Sequence, residues 1–259
     1  MKKEYERFTD STFFEGLVSL RVLIANAEEQ NENSRDILEV YYDRNRAKKE
    51  KKEAAWLSHR AQALGFLLTL TDRSQIDAIA VGNTHGGILA CCGSRQIPAV
   101  DSSLLPVENG FYVMLAGIED PYNFGYALRS LYAAGVDGVI LGEHNWMSAA
   151  GVVCRASAGA SERLPMWIGS DVETVTHFRR CGYTIVCADL RESVPLHDAT
   201  IKKPVFLIVG GEKRGISRTV LKLSDLRVAI EYARPFDASL SAASAATVVA
   251  YEIFRQNRQ

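Results

Sequence analysis

The stretch that decides the fold runs from Phe111-Tyr112-Val113-Met114-Leu115-Ala116-Gly117-Ile118 through Asp120-Pro121-Tyr122-Asn123-Phe124-Gly125 to Gly138-Val139-Ile140-Leu141. An unbroken apolar run of this length, bounded by Gly110 and Pro121, reads as a strand buried on both faces of a parallel sheet. Pro121 fixes a turn, the pattern from Gly125 to Ala134 predicts a helix stopped by Gly135, and Gly138 to Leu141 is the next strand. The unit is therefore βαβ. Asn123 is placed to cap the incoming helix, whose first amides and dipole favour an anion. Arg129 follows just over one turn later, within reach of the strand-end crevice where open α/β sheets bind ligands.

Downstream, the spacing predicts a helix from Asp171 to Arg180 and strands at Tyr183 to Ala188 and Pro204 to Val209. A glycine-rich turn, Gly210-Gly211-Glu212-Lys213-Arg214-Gly215-Ile216-Ser217, follows the last strand directly. It is not a phosphate loop of the Walker type, because Gly215 is followed by Ile216 and Glu212 would repel a triphosphate. No G-x-G-x-x-G follows a strand, so a dinucleotide oxidoreductase has no support. A third loop, Ile230-Glu231-Tyr232, leads to Asp237-Ala238-Ser239-Leu240-Ser241-Ala242-Ala243-Ser244, where Ser239 is placed as the cap of a C-terminal helix. The small face of that helix allows either close packing or close approach of a ligand.

Upstream lies a second α/β module of about the first hundred residues. The spacing predicts a helix over Phe13 to Asn26, a strand over Asp36 to Tyr42 and one helix from Arg44 to Leu64 capped by Gly65. Strands at Phe66 to Leu70 and Gly87 to Cys92 flank a short helix at Ser74 to Ala80. Residues 1–95 and 110–259 are the expected domains, and 96–109, which lacks periodicity, the linker. With 47% hydrophobic and 24% charged residues among 259, the chain is an ordinary globular protein. A net charge of -1 means that any nucleic-acid contact comes from a local patch. The candidate is Arg44, Arg46, Lys48, Lys49, Lys51 and Lys52, read either as a phosphate-contacting face or, with Glu50 and Glu53 interleaved, as a solvated helix. No stretch approaches the length of a membrane span and no apolar run follows the charged start, so a cytoplasmic location is the expectation. Five cysteines without C-x-x-C pairs read as reduced, structural thiols, and five scattered histidines give no metal site.

In order and spacing the three loops resemble the three motifs of the SpoU (TrmH-like) class of SPOUT RNA 2′-O-ribose methyltransferases, over about Tyr112 to Gln256. Glu119 to Arg129 is similar to the first motif, Gly210 to Gly215 to the second, and Arg155-Ala156-Ser157-Ala158-Gly159-Ala160 also matches between them. The third motif normally reads Ser-Leu-Asn, and here it is Ser239-Leu240-Ser241. The resemblance implies a trefoil-knotted α/β methyltransferase domain, a homodimer and S-adenosylmethionine as cofactor, held at Gly210, Ile230 and Leu240 with Ser239 and Ser244. It places Asn123, Arg129 and Glu212 as the catalytic group beside the acceptor ribose. The first module is similar to the ribosomal-protein-like RNA-binding domain of many members, which favours ribosomal over transfer RNA. The rival reading is an RNA-binding protein that keeps the fold without the reaction, motivated by Ser241, whose side chain is shorter than the amide it replaces.

Overall fold

Phe13 and Phe14 lie in a strand, not in the helix their spacing predicts, because a short apolar pair fits either period and Gly16, at φ +84°, ends the extended segment. The computed structural model describes residues 11–31, 33–118, 120–142, 146–211, 215–235 and 237–258. Strand β1 (Ser11–Glu15) is followed by helix α1 (Gly16–Glu28), strand β2 (Ile37–Asp43), helices α2 (Arg44–Lys49) and α3 (Lys51–Leu64), strand β3 (Leu67–Thr71), helix α4 (Arg73–Ile79) and strand β4 (Ile88–Gly93). β4 pairs antiparallel with both β1 and β2, β2 pairs parallel with β3, and the order is β1-β4-β2-β3. Phe14, Tyr42, Leu57 and Leu89 close the core beneath this sheet.

The single helix expected over Arg44 to Leu64 is broken at Glu50, whose φ of -98° and ψ of 62° leave the helical region. In a straight helix residues 46 and 53 stand roughly 10 Å apart along the axis. The break lets Arg46 grip Glu53 through two nitrogens, at 2.7 and 2.9 Å, while its third donates to the Gly86 carbonyl at 2.7 Å. Gly65 ends α3 in the left-handed conformation as the sequence predicts.

Strand β5 (Phe111–Ala116), helix α5 (Pro121–Ala133) and strand β6 (Gly138–Leu141) form the βαβ unit read from the sequence. The helix starts four residues before Gly125, because Asp120, not Asn123, supplies the cap: its Oδ1 accepts from the Asn123 amide at 2.8 Å, with Pro121 at the first helical position. Helices α6 (Ala150–Ala156) and α7 (Ala160–Arg163) come next. Two compact units result, Met1–Gln96 with Ala149–Arg163, and Ile97–Ser148 with Leu164–Gln259. The returning segment completes the first unit: Glu162, wholly buried, pairs with buried Arg35 at 2.7 Å and its carbonyl accepts from Asn26 Nδ2 at 2.6 Å.

The second unit continues with β7 (Met166–Ile168), α8 (Asp171–Arg180), β8 (Thr184–Ala188), the short β9 (Val194–Pro195), β10 (Val205–Gly210), α9 (Arg218–Leu223), β11 (Leu226–Ala229) and α10 (Ala242–Asn257). Among the described residues every strand pairing of its sheet is parallel, in the order β7-β6-β5-β10-β8-β11-β9. Such pairing needs both faces covered, which is why β5, β6 and β10 are almost continuously apolar. On one face Phe178 of α8 stacks on Phe206 of β10 with centroids 4.1 Å apart. Ala99, within the stretch read as linker, pairs in parallel with Ile168 and so lies along β7. The strands β7, β9 and β11 and the helices α6, α7 and α9 are short elements the periodicity did not mark.

Candidate active site

β10 sits between β5 and β8, and its apolar run ends at Gly210 at the carboxyl edge of the sheet. A Cβ on Gly210 would stand 2.6 Å from the Gly215 carbonyl carbon and 2.8 Å from the Ile216 nitrogen, so only glycine lets the turn fold back over the strand end. One on Gly211 would stand 2.6 Å from the Gly117 carbonyl oxygen. The glycine-rich turn therefore lies directly against the loop that leaves β5 for α5. The Gly215 amide closes the turn on Gly211 O at 2.9 Å. Glu212 lies outside the described residues.

The third loop completes the wall. The chain leaves β11 into Ile230, and the Leu240 amide donates to the Tyr232 hydroxyl at 3.0 Å, which ties the two ends of the loop together. α10 is capped by Ser241, not by Ser239, since Ser241 Oγ accepts from the Ser244 amide at 3.2 Å. The chain enters the helix two residues later than the sequence predicts, and Ser239 and Leu240 are left in the loop.

Between these segments lies a cavity of about 270 Å³, lined by Gly210, Ile230, Ser239 and Leu240 together with Val209, Ile216, Ala242 and Ala245. It is near the lower bound, roughly 300 Å³, of small-ligand pockets. Ser244 is not among its lining residues; it is exposed in the first turn of α10. Sequence reasoning missed Asp189, Leu190 and Arg191, which follow β8 and line the same cavity. The available signal was the rule that ligands sit beyond the carboxyl ends of parallel strands, applied to β8 as it was to β10. Asp189 and Arg191 are the charged side chains lining the cavity among the described residues. Beneath them in β8, burial pushes the Cys187 thiol up to about 12, so it stays protonated and apolar in character.

Asn123 and Arg129 both lie on α5, the first partly buried near its start and the second exposed about 1.7 turns on. Neither lines the cavity; the contact of Gly211 with Gly117 brings the loop before α5 to its edge. That loop is pinned by Trp146, whose Nε1 donates to the Ile118 carbonyl at 2.7 Å. In the first unit the basic cluster divides: Arg46 is bound to Glu53 and Gly86, and Arg44 donates to the Leu70 carbonyl, whereas Lys48, Lys49, Lys51 and Lys52 are exposed. Of the five thiols read as structural, Cys181 is exposed at the end of α8 and the other four are buried. Among the described residues no group of three or more His, Cys, Asp or Glu converges to hold a metal ion.

A parallel α/β protein whose ligand cavity is walled by backbone and small side chains at the strand ends is the class these features define. The chain belongs to the SpoU rRNA Methylase family, whose model matches residues 110–251. It is 30% identical over 206 residues to the 23S rRNA (guanosine-2′-O-)-methyltransferase RlmB of Shewanella oneidensis, covering 78% of this chain and 83% of that one. The AdoMet-bound rRNA methyltransferase from Sinorhizobium meliloti superposes with a TM-score of 0.78 at 23% identity, covering 98% and 90% of the two chains. The SpoU methyltransferase AviRb from Streptomyces viridochromogenes, solved with the cofactor AdoMet, superposes with a TM-score of 0.74 at 24% identity over 99% and 93%. These two likenesses establish the fold.

Proposed function

We propose that the protein transfers a methyl group from S-adenosylmethionine to a ribose 2′-hydroxyl of RNA, with ribosomal RNA favoured over transfer RNA. The observation that carries this reading is the convergence of Gly210 at the end of β10 with Ile230 and Leu240 from the two ends of the loop after β11 on one cavity. The residues fit an adenosyl ligand: the apolar walls of Val209, Ile216, Ile230 and Leu240 suit a purine, and Gly210 leaves room for close backbone approach. The bound cofactor supplies an electrophilic methyl on a sulfonium.

The chain's own task is to hold the acceptor oxygen in line while its proton passes to solvent water. A guanidinium keeps its charge in proteins, so Arg129 holds an RNA phosphate and stabilises the developing oxyanion, Glu212 helps to orient Arg129, and Asn123 stands beside the acceptor ribose. Residues 110–259 carry this chemistry, apart from Ala149–Arg163, which fold with the first unit. Residues 1–95 carry RNA affinity, with 96–109 between them and the exposed lysines 48, 49, 51 and 52 as phosphate contacts. α5 and α10 pack on each other and expose Tyr122, Tyr126, Tyr132, Tyr251 and Phe254. An aromatic patch of this kind is favourable to bury, which supports a homodimer with a second copy seated on it. Among the described residues no helix is long and apolar enough to cross a membrane. The free cysteines support a reducing, cytoplasmic setting.

One observation favours the rival reading, an RNA-binding protein without the reaction. Ser241 Oγ is engaged within α10, with the Ser244 amide and hydroxyl, so it does not reach outward as a longer amide would. A single assay separates the two. The protein is incubated with unmodified ribosomal RNA and methyl-labelled S-adenosylmethionine, and nuclease digests are analysed for 2′-O-methylnucleosides. Wild type forms one such nucleoside, and Arg129→Ala falls by about 100-fold or more at saturating RNA. RNA binding without methylation establishes the rival, and an active Arg129→Ala removes the role given to Arg129.

A further inference from the structure

We infer that Asp189 is the residue that recognises the ribose of the cofactor, its carboxylate accepting the two vicinal hydroxyls of the adenosine. This rests on the reading of the cavity as an S-adenosylmethionine site.

The placement follows from strand register. Ala188 is level with Val209 of β10 on one side and with Val228 of β11 on the other, so Asp189 emerges at the level of Gly210 and Ala229, at the mouth between them. Its backbone is held there, because the Asp189 amide still donates to the Val228 carbonyl at 3.1 Å. The side chain is held as well: Oδ1 accepts from the Arg191 amide at 2.8 Å, and Asp189 lines the cavity while only partly exposed. The remaining walls are mostly aliphatic or glycine, which suits the base but offers a sugar few acceptors.

A diol presents two donors, and a carboxylate is acceptor-only with room for both. In other parallel α/β folds an acidic residue at a strand end binds a nucleotide ribose by the same chemistry. Glu192, the next carboxylate along, is taken by Arg227 at 2.6 Å and is not among the lining residues. The alternative partner for Asp189 is the cationic end of the ligand, its sulfonium or amino group, and the choice of probes separates the two.

The test is calorimetric titration of wild type and Asp189→Asn with four probes: S-adenosylmethionine, S-adenosylhomocysteine, methylthioadenosine, and the 2′,3′-dideoxy form of methylthioadenosine. Asparagine keeps the acceptor for the Arg191 amide, so the turn is preserved. The three probes with a diol are expected to bind the variant roughly 10- to 100-fold more weakly, and the dideoxy probe equally well in both proteins. Loss confined to S-adenosylmethionine assigns Asp189 to the sulfonium, and loss confined to the two probes with an amino group assigns it to that group. Equal weakening of all four probes makes Asp189 a structural residue. Each of these overturns the inference, as does an Asp189→Asn that binds like wild type. A wild type that binds none of the probes overturns the cofactor site itself, which is a separate and recognisable failure.

Discussion

Gly210→Ala adds one methyl group at a point where the surrounding backbone leaves no room for it. The new Cβ would sit 2.6 Å from the Gly215 carbonyl carbon, 2.8 Å from the Ile216 nitrogen and 2.9 Å from the Gly215 Cα, all backbone atoms that cannot rotate away. Carbon atoms pack best at about 3.5–4.0 Å, so the turn must move by roughly 1 Å. On one side β10 is fixed by its ladders to β5 and β8, so the turn itself is what yields. Its movement reshapes the wall formed by Gly211, Gly215 and Ile216. Overpacking of this kind costs about 1–3 kcal/mol. If most of that strain is relieved by distorting the cavity, affinity for S-adenosylmethionine falls about 5- to 150-fold. Titration calorimetry reads the affinity, and thermal unfolding reads the share retained as lost stability. Gly142→Ala is the control, because its Cβ meets no described atom within 4 Å. A Gly210→Ala protein with wild-type affinity and wild-type Tm would refute the claim that backbone approach at Gly210 forms the site.

Removing one partner of the buried Arg35–Glu162 pair strands the other charge, and Glu162→Ala is expected to lower stability to urea by about 3–5 kcal/mol. A loss under about 1 kcal/mol would mean that water reaches Arg35. Cys181 alone should react quickly with a thiol reagent in the native protein, the other four only after unfolding; several fast thiols would contradict the burial. Burial pushes the Cys154 thiol up to about 12, as it does Cys187, and raises Cys92 as well. An unfolded thiol titrates near about 8.5, so the folded state alone keeps these protons above that pH. The stabilisation is complete below about 8.5 and is lost toward pH 12, at roughly 1.4 kcal/mol per pH unit for each thiol. A flat stability between pH 8 and 10 would exclude it. Tyr126→Glu combined with Phe254→Arg places charge in the exposed aromatic patch of α5 and α10 and should turn a dimer into a monomer by light scattering. A monomeric wild type at micromolar concentration ends that assignment.

What could be read from the sequence was what depends on period and on glycine. β5 and β10 are buried on both faces, so their apolar runs are unbroken and stand out without any partner being known. The order of the sheet is another matter. β10 lies between β5 and β8 although 88 residues of chain separate Ala116 from Val205, and nothing local in either strand records that neighbour. The same holds for Glu162: its partner Arg35 is 127 residues away, and in sequence a charged residue near Arg163 reads as surface.

The site shows the same division in a sharper form. Recognition by backbone demands glycine or small residues, and such a demand is visible as composition at Gly210, Gly211, Ala242 and Ala245. Recognition by a side chain demands only that one ordinary residue end the right strand. Asp189 follows Ala188 in a stretch, Cys187-Ala188-Asp189-Leu190, that looks like any strand running into any loop. Its significance comes from standing level with Gly210 and Ala229, and that register is a property of the folded sheet. Caps went wrong for a related reason: Asp120 and Asn123 are both good capping residues, as are Ser239 and Ser241. The choice between them is made by where the preceding loop delivers the chain to the helix, for α10 a loop closed by the Leu240–Tyr232 hydrogen bond, so the error at each helix is a shift along the sequence and not a mistaken element.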